Sequence, residues 1–207
     1  MTLVAHAFPT SELNVSGAND GTVDFFATTN CLRYAEIGVY EGDTAMSIAR
    51  HLAGRGEIHL FDFDDRVNHA ARRLRGAGHR NVIAHPNSRL LLDSYNWSLM
   101  RVLAEHEEPV FDYVFLDGAH TWALDALAFL LVDRLLRPGG YLDFDDYTWS
   151  LRHSPSMNPA VFPDVDRLYT GEQIDEPQVA LVVDLLVRRD PRYTEVIPNK
   201  IFRKVAP

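Results

Sequence analysis

The chain has 207 residues, 46% of them hydrophobic and 24% charged, with a net charge of −9 and a single cysteine. That length suits one well-buried domain, and the acidic balance argues against a nucleic-acid backbone as main partner, because such a surface demands clustered Lys and Arg. A lone Cys31 excludes an internal disulfide framework, "MTLVAHAFPTSELN" lacks the pattern of an export signal, and the apolar runs are too short to span a bilayer. The expectation is a soluble, cytoplasmic protein.

Residues 1–30 carry little periodicity and read as a lead-in or lid before a single domain over 31–207. From residue 33 short apolar runs alternate with longer helical stretches, as in a parallel sheet covered by helices. "RYAEIGVY" (33–40) predicts a buried strand, and "DTAMSIARHLAG" (43–54) a helix capped by Asp43 or Thr44. "EIHLFDFD" (57–64) predicts a second strand, and "VNHAARRLRGAG" (67–78) a helix whose basic end suits the macrodipole. A third strand at 81–85, a helix over roughly 89–105 and a fourth strand at 111–117 follow. A strongly apolar helix at 121–136 leads through the breaker "RPGG" into a fifth strand at 140–146. Three prolines between 147 and about 176 mark an irregular excursion. A helix at 177–189 and edge strands around Pro198 close the chain. The predicted fold is α/β: a Rossmann-like, doubly wound, mostly parallel sheet.

In such sheets ligands bind beyond the carboxyl ends of the strands. The first of these ends is "EIGVYEGD". Gly38 permits a tight turn after strand one, and Gly42 lets a ligand approach the next helix. The spacing departs from the G-x-G-x-x-G of dinucleotide folds, which disfavours an NAD-dependent oxidoreductase. Glu36, an acid inside the strand, could accept hydrogen bonds from backbone or from a ligand ammonium group. Asp62 ends strand two, where an acid commonly holds ribose hydroxyls, while Asp64 and Asp65 compete with it or cap the helix. Asn87 and Ser88, after strand three, reach an adenine edge or cap a helix.

"FLDGAH" and "DFDDY" belong together, because strands four and five form a unit of the size of a right-handed crossover. With neighbouring strands about 4.8 Å apart, Asp117 would converge with Asp145 and Asp146. Two carboxylates at about 5 Å repel by roughly 3 kcal/mol at an effective dielectric of 20, so three together call for a cation or a shared proton. Hard oxygen donors suit Mg²⁺ better than Zn²⁺. His120, near the start of the following helix, is placed to stay neutral and take a proton. Asp143, in mid-strand, has no assigned role.

Together these residues resemble the class I S-adenosylmethionine-dependent methyltransferases, and within them the metal-dependent O-methyltransferases. "EIGVYEGDTA" is similar to the family's first motif, "HLFDFD" to its acidic second strand, and "VFLDGAH…LLRPGGYLDFDDY" to the metal-binding half. Asp117 and Asp145 match the catechol and caffeoyl-coenzyme-A type enzymes, and Asp146 stands where they usually have Asn. The Asp–Asp pair also resembles macrolide and aminocoumarin sugar O-methyltransferases. His120 replaces the catalytic lysine of the catechol enzymes.

The resemblance implies that Glu36, Gly38, Gly42, Asp62, Ser88 and Asp117 hold S-adenosylmethionine, and that Asp117, Asp145 and Asp146 hold Mg²⁺ or another divalent cation. His120, with Asp117, would serve the chemistry, and Tyr147, Trp149 and the excursion would line the acceptor pocket. The expected partner is a small hydroxylated molecule, sugar, catechol-like or another natural product, with no nucleic acid and no membrane; a homodimer stays open. The rivals are a metal-independent methyltransferase, a non-catalytic donor-binding protein and, more weakly, a metal-dependent hydrolase.

Overall fold

Near-continuous burial along the central strands, as in a sheet covered on both faces, sets the architecture. In the computed structural model, which describes residues 17–206, β1 (Arg33–Ile37), β2 (Glu57–Phe63), β3 (Val82–Asn87), β4 (Phe111–Leu116) and β5 (Leu136–Phe144) run parallel. β6 (Tyr193–Ile197) and β7 (Ile201–Lys204) add an antiparallel hairpin. The sheet order is β3-β2-β1-β4-β5-β7-β6. Chain direction across the sheet therefore reverses between β1 and β4, and the tips of those two strands flank the crevice where such folds bind ligands.

Successive side chains of a strand face opposite sides, and each side buries its own core. Tyr34, Tyr113 and Phe115 pack with helices α1 (Asp20–Ala27), α2 (Asp43–Leu52) and α3 (Asp64–Gly76). Ala35, Ile37, Val114 and Leu116 pack with α4 (Tyr95–Glu105), α5 (Trp122–Leu135) and α7 (Gln178–Val182). α1 is anchored by Phe26, fully buried and edge-on to Tyr34 and Tyr113 at 5.5 and 5.2 Å. The expected lead-in thus splits: residues 17–30 include this packed helix, and 1–16 lie outside the described residues.

Several boundaries differ from the sequence reading, each for a local reason. The helix expected from 89 starts at Tyr95, because Ser94 caps it by accepting from Asn96 N, and Asp93 closes a turn onto the Ser88 amide at 2.6 Å. "RPGG" belongs to β5, whose pairing with β4 shifts register between Phe111 and Tyr113. Gly139 absorbs the irregularity at φ 87°. The C-terminal helix changes to a π-helical turn over Val183–Val187. Pro198 sits in the hairpin turn, and β7 lies inside the sheet between β5 and β6, so only β6 is an edge strand there. The stretch after β5 holds two 3₁₀ turns (Leu151–His153 and Pro163–Arg167) and α6 (Gly171–Asp175), gathered on a small core of Leu151, Val165 and Ile174. Among the described residues no helix is long and apolar enough to cross a membrane.

Candidate active site

Strand register builds the site in layers. Across β1, β4 and β5, Tyr34 stands beside Tyr113 and Tyr113 beside Tyr141; two residues on, Glu36 stands beside Phe115 and Phe115 beside Asp143. Two residues further, past the strand ends, come Gly38, Asp117 and Asp145. The Asp117 amide still donates to Ile37 O at 2.8 Å and the Asp145 amide to Leu116 O at 3.1 Å, so the ladder carries these residues into place. Each acid of the middle layer is held by a tyrosine below it: the Tyr34 hydroxyl donates to Glu36 Oε2 at 2.7 Å, and the Tyr113 hydroxyl to Asp143 Oδ2 at 2.6 Å.

A cavity of about 470 Å³ opens above this floor, lined among others by Glu36, Gly38, Asp62, Asp117, His120, Asp145 and Asp146. On its β1 side, Gly38 has φ 85°, and a Cβ there would sit 1.8 Å from the Asp117 carbonyl oxygen. The two strand tips touch only because this residue has no side chain. Gly42, at φ 76°, is likewise fixed by packing, since a Cβ would come within 2.8 Å of Ala70 Cβ. Asp62 straps the turn: Oδ2 accepts from the amides of Val39 (2.8 Å) and Tyr40 (2.9 Å), and Oδ1 from that of Phe63 (2.6 Å). Three of its roughly four acceptor positions are therefore spent on the loop. Glu36 is buried, and loss of hydration pushes its carboxyl up to about 8, against the lowering effect of the Tyr34 hydroxyl and with Asp62 and Asp43 adding to the rise.

On the β4–β5 side, His120 Nε2 lies 3.6 Å from Asp117 Oδ1 and 3.6 Å from Asp146 Oδ2. Its ring packs against Trp149, centroids 5.1 Å apart. Tyr40, His120 and Asp146 all adopt left-handed backbone conformations, with φ of 47°, 55° and 56°. Such residues cost about 1–2 kcal/mol each, and strain of this kind gathers at functional sites. The turn that aims His120 is held by two residues the sequence reading passed over. Tyr95 donates its hydroxyl to the buried Asp125, and accepts from the Ala119 amide at 3.3 Å. An Asp inside the apolar helix "WALDAL" was the available signal.

The structure also gives Asp143 a role. It is fully buried, paired with Lys200 Nζ at 2.9 Å, and Lys200 lies 4.0 Å from Asp145 Oδ1. Asp145 Oδ1 further accepts from Asn19 Nδ2 at 3.0 Å. Lys200 comes from the hairpin turn and Asn19 from the cap of α1, and neither is marked by any motif. Asp117 remains crowded: burial first, then Asp145, Glu36 and Asp146, hold its carboxyl well above the usual carboxylate range, with Lys200 opposing. Asp146 is raised too, by burial and by Asp145, against His120 and Lys200.

Two expected donor residues do not line this cavity. Gly42 lies beneath the turn, and Ser88 borders a separate hollow with Asn87, Asp93, Trp97 and Arg101, its hydroxyl accepting from the Leu90 amide at 3.3 Å. Tyr147 turns toward the C-terminal helix and donates to Asp184 at 3.0 Å, leaving Trp149 as the aromatic beside His120. For a divalent ion the donor chemistry fits, with three hard carboxylates on one cavity. Yet among the described residues no three His, Cys, Asp or Glu side chains converge as a metal-holding group. Asp145 faces Asn19 and Lys200 instead, while Asp117 and Asp146 face His120.

A family model for a methyltransferase domain matches residues 35–147, more than half of the chain. No curated protein matches it in sequence. Among solved structures, the O-methyltransferase TomG of Streptomyces achromogenes, involved in tomaymycin synthesis and solved with SAM, is 18% identical with a TM-score of 0.63, over 94% of this chain and 82% of that one. An O-methyltransferase from Bacillus cereus, solved with SAH, is 17% identical with a TM-score of 0.60, over 94% and 82%. An rRNA methylase from Streptococcus thermophilus is 14% identical with a TM-score of 0.54, over 93% and 99%. At these identities the likeness is one of fold.

Proposed function

From the premise that this chain belongs to the methyltransferase-domain family, we propose that it moves a methyl group from S-adenosylmethionine to a hydroxyl of a small molecule. The observation that carries the reading is His120 Nε2, set 3.6 Å from carboxylates of both β4 and β5 in the cavity that Gly38 and Glu36 also line. The donor's carbon is already activated by its sulfonium, so the protein mainly has to supply an ionised oxygen in line with it. His120 takes the acceptor's hydroxyl proton, with Asp117 and Asp146 stabilising the imidazolium. The oxygen then attacks the methyl carbon, the carbon–sulfur bond breaks, and its electron pair stays on sulfur to give S-adenosylhomocysteine. Asp146, with a side chain 46% exposed, offers the proton a way to solvent.

Donor binding fits the β1 side. Gly38 leaves room where the turn meets Asp117, and Glu36 offers a buried carboxyl to a cationic ligand. The acidic lining suits a donor that carries a sulfonium, and it disfavours an acceptor bearing phosphate or carboxylate next to the reacting hydroxyl. The test is direct: incubation with S-adenosylmethionine and hydroxylated probes (catechol, a methyl glycoside), with mass spectrometry of the acceptor, should show a 14-dalton gain absent in His120→Ala. Product formed equally by the variant would remove His120 from the chemistry.

A divalent ion held by Asp117, Asp145 and Asp146 is the finer part of the proposal. What supports it is the crowding on Asp117, which an added cation would relieve. Such an ion would lower the pKa of the acceptor hydroxyl. Titration with Mn²⁺ followed by electron paramagnetic resonance should give a binding isotherm that Asp145→Ala weakens at least tenfold; identical isotherms would exclude this site.

A further inference from the structure

The segment before α1 reaches both sides of the cavity through one residue. Asn19 donates its backbone amide to Thr44 Oγ1 in the first turn of α2 at 2.9 Å, and its side-chain Nδ2 to Asp145 Oδ1 at the tip of β5 at 3.0 Å. Its Oδ1 accepts from the Thr22 amide at 3.1 Å, capping α1. Gly17, Ala18 and Asn19 together form part of the cavity wall. The cap by itself would be served equally well by Asp or Ser. Only an amide can cap the helix with its oxygen and donate to a carboxylate with its nitrogen at the same time.

We infer that Asn19 is a positioning residue for the reaction: it fixes the Asp145 carboxylate from a wall that also touches the donor-side helix. The inference rests on the proposed methyl transfer and on the divalent-ion site proposed with it, where Asp145 is a ligand, and adds a contact between the donor turn and the acceptor end that does not run through the sheet. Among the described residues the Asp145 carboxylate has two holders, Asn19 at 3.0 Å and Lys200 at 4.0 Å, and Lys200 is engaged more closely by Asp143 at 2.9 Å. The amide is therefore the principal restraint on the orientation of Asp145. The fold needs only a cap at this position, whereas holding Asp145 needs the amide.

Two substitutions separate cap from positioning. Asn19→Ser keeps the cap and the Thr44 contact while deleting the amide, and Asn19→Asp keeps both while turning a carboxylate on Asp145. For Asn19→Ser the melting temperature should stay within about 2 °C of the parent and calorimetric affinity for S-adenosylhomocysteine within about twofold, whereas Asn19→Asp, which sets one carboxylate against another, should melt lower. Turnover number should fall about 10- to 100-fold, the size typical of lost outer-shell hydrogen bonds, with donor KM little changed. A crystal structure of Asn19→Ser should show the Asp145 carboxylate displaced. Unchanged turnover in both variants, an unmoved carboxylate, or donor affinity falling in parallel with turnover would overturn the assignment. Should the parent bind S-adenosylhomocysteine yet methylate no hydroxylated probe, the functional reading fails by itself, and the position of Asp145 in the Asn19→Ser crystal decides for or against Asn19.

Discussion

At the scale of single residues, the site depends on groups whose environment decides their chemistry. His120→Ala should lower turnover by about 10²- to 10⁴-fold, the usual contribution of a general base, with affinity for S-adenosylhomocysteine preserved in calorimetry. Glu36 yields a prediction about pH. Its folded-state carboxyl titrates near 8 instead of the ordinary 4.5, so the folded protein binds more protons than the unfolded chain between those values. Its contribution to stability is fully present below about 4.5 and is lost as pH rises toward 8. Urea melts of the parent minus those of Glu36→Gln, taken from pH 5.5 to 8.5, should slope downward; a flat difference would show that Tyr34 keeps this acid ionised. The strand-tip residues Gly38, Asp117 and Asp145 were legible from the sequence because they follow apolar runs at fixed offsets. Asn19, Lys200 and Tyr95 were not. Each reaches the site across 126, 55 and 24 positions from its partner Asp145 or Ala119, and no local pattern encodes a contact of that range.

At the scale of elements, the strands and helices were readable from periodicity, and the errors cluster where side chains rewrite the backbone. Asp93 and Ser94 turn an apolar "RLLL" into an exposed loop, with Leu92 95% exposed; three leucines in a row carry no sign of that. A second surprise is the pairing of β2 with β3. His59 Nδ1 meets His85 Nε2 at 2.9 Å, so the two imidazoles share one proton, and His85 stacks on Phe61 at 4.3 Å. Glu57, paired in turn with Arg33, lies 3.6 Å from His59 Nε2. Burial, with His59 and His106 nearby, lowers His85 to about 4. A histidine depressed in the folded state contributes stability above its unfolded value, near 6.5, and loses it as pH falls toward 4. Protection of β3 amides from hydrogen exchange, relative to the intrinsic rate at each pH, should therefore fall between pH 6.5 and 4 ahead of β4, and His85→Gln should blunt that response. Simultaneous loosening of both strands would locate the acid-sensitive groups elsewhere.

At the scale of the whole molecule, the sheet order brings five strand tips to one rim, and a ligand seated there would tie both halves of the sheet together. S-adenosylhomocysteine at 100 times its dissociation constant should add about 2.7 kcal/mol of stability by mass action, visible as a raised melting temperature. NAD at the same concentration should leave the melt unchanged, and the opposite result would revive the oxidoreductase. The layered floor also has a bearing on engineering. Because a tyrosine hydroxyl donates to a buried acid within β1 (Tyr34, Glu36) and again from β4 to β5 (Tyr113, Asp143), each couple stands or falls as one hydrogen-bonded unit. Libraries that recode these positions one at a time will mostly sample orphaned hydroxyls and carboxyls, whereas exchanging a couple together removes donor and acceptor at once. On β1 that exchange also deletes a carboxyl of the cavity lining, and on β5 it strips Lys200 of its nearer partner, so the floor and the rim have to be redesigned as one.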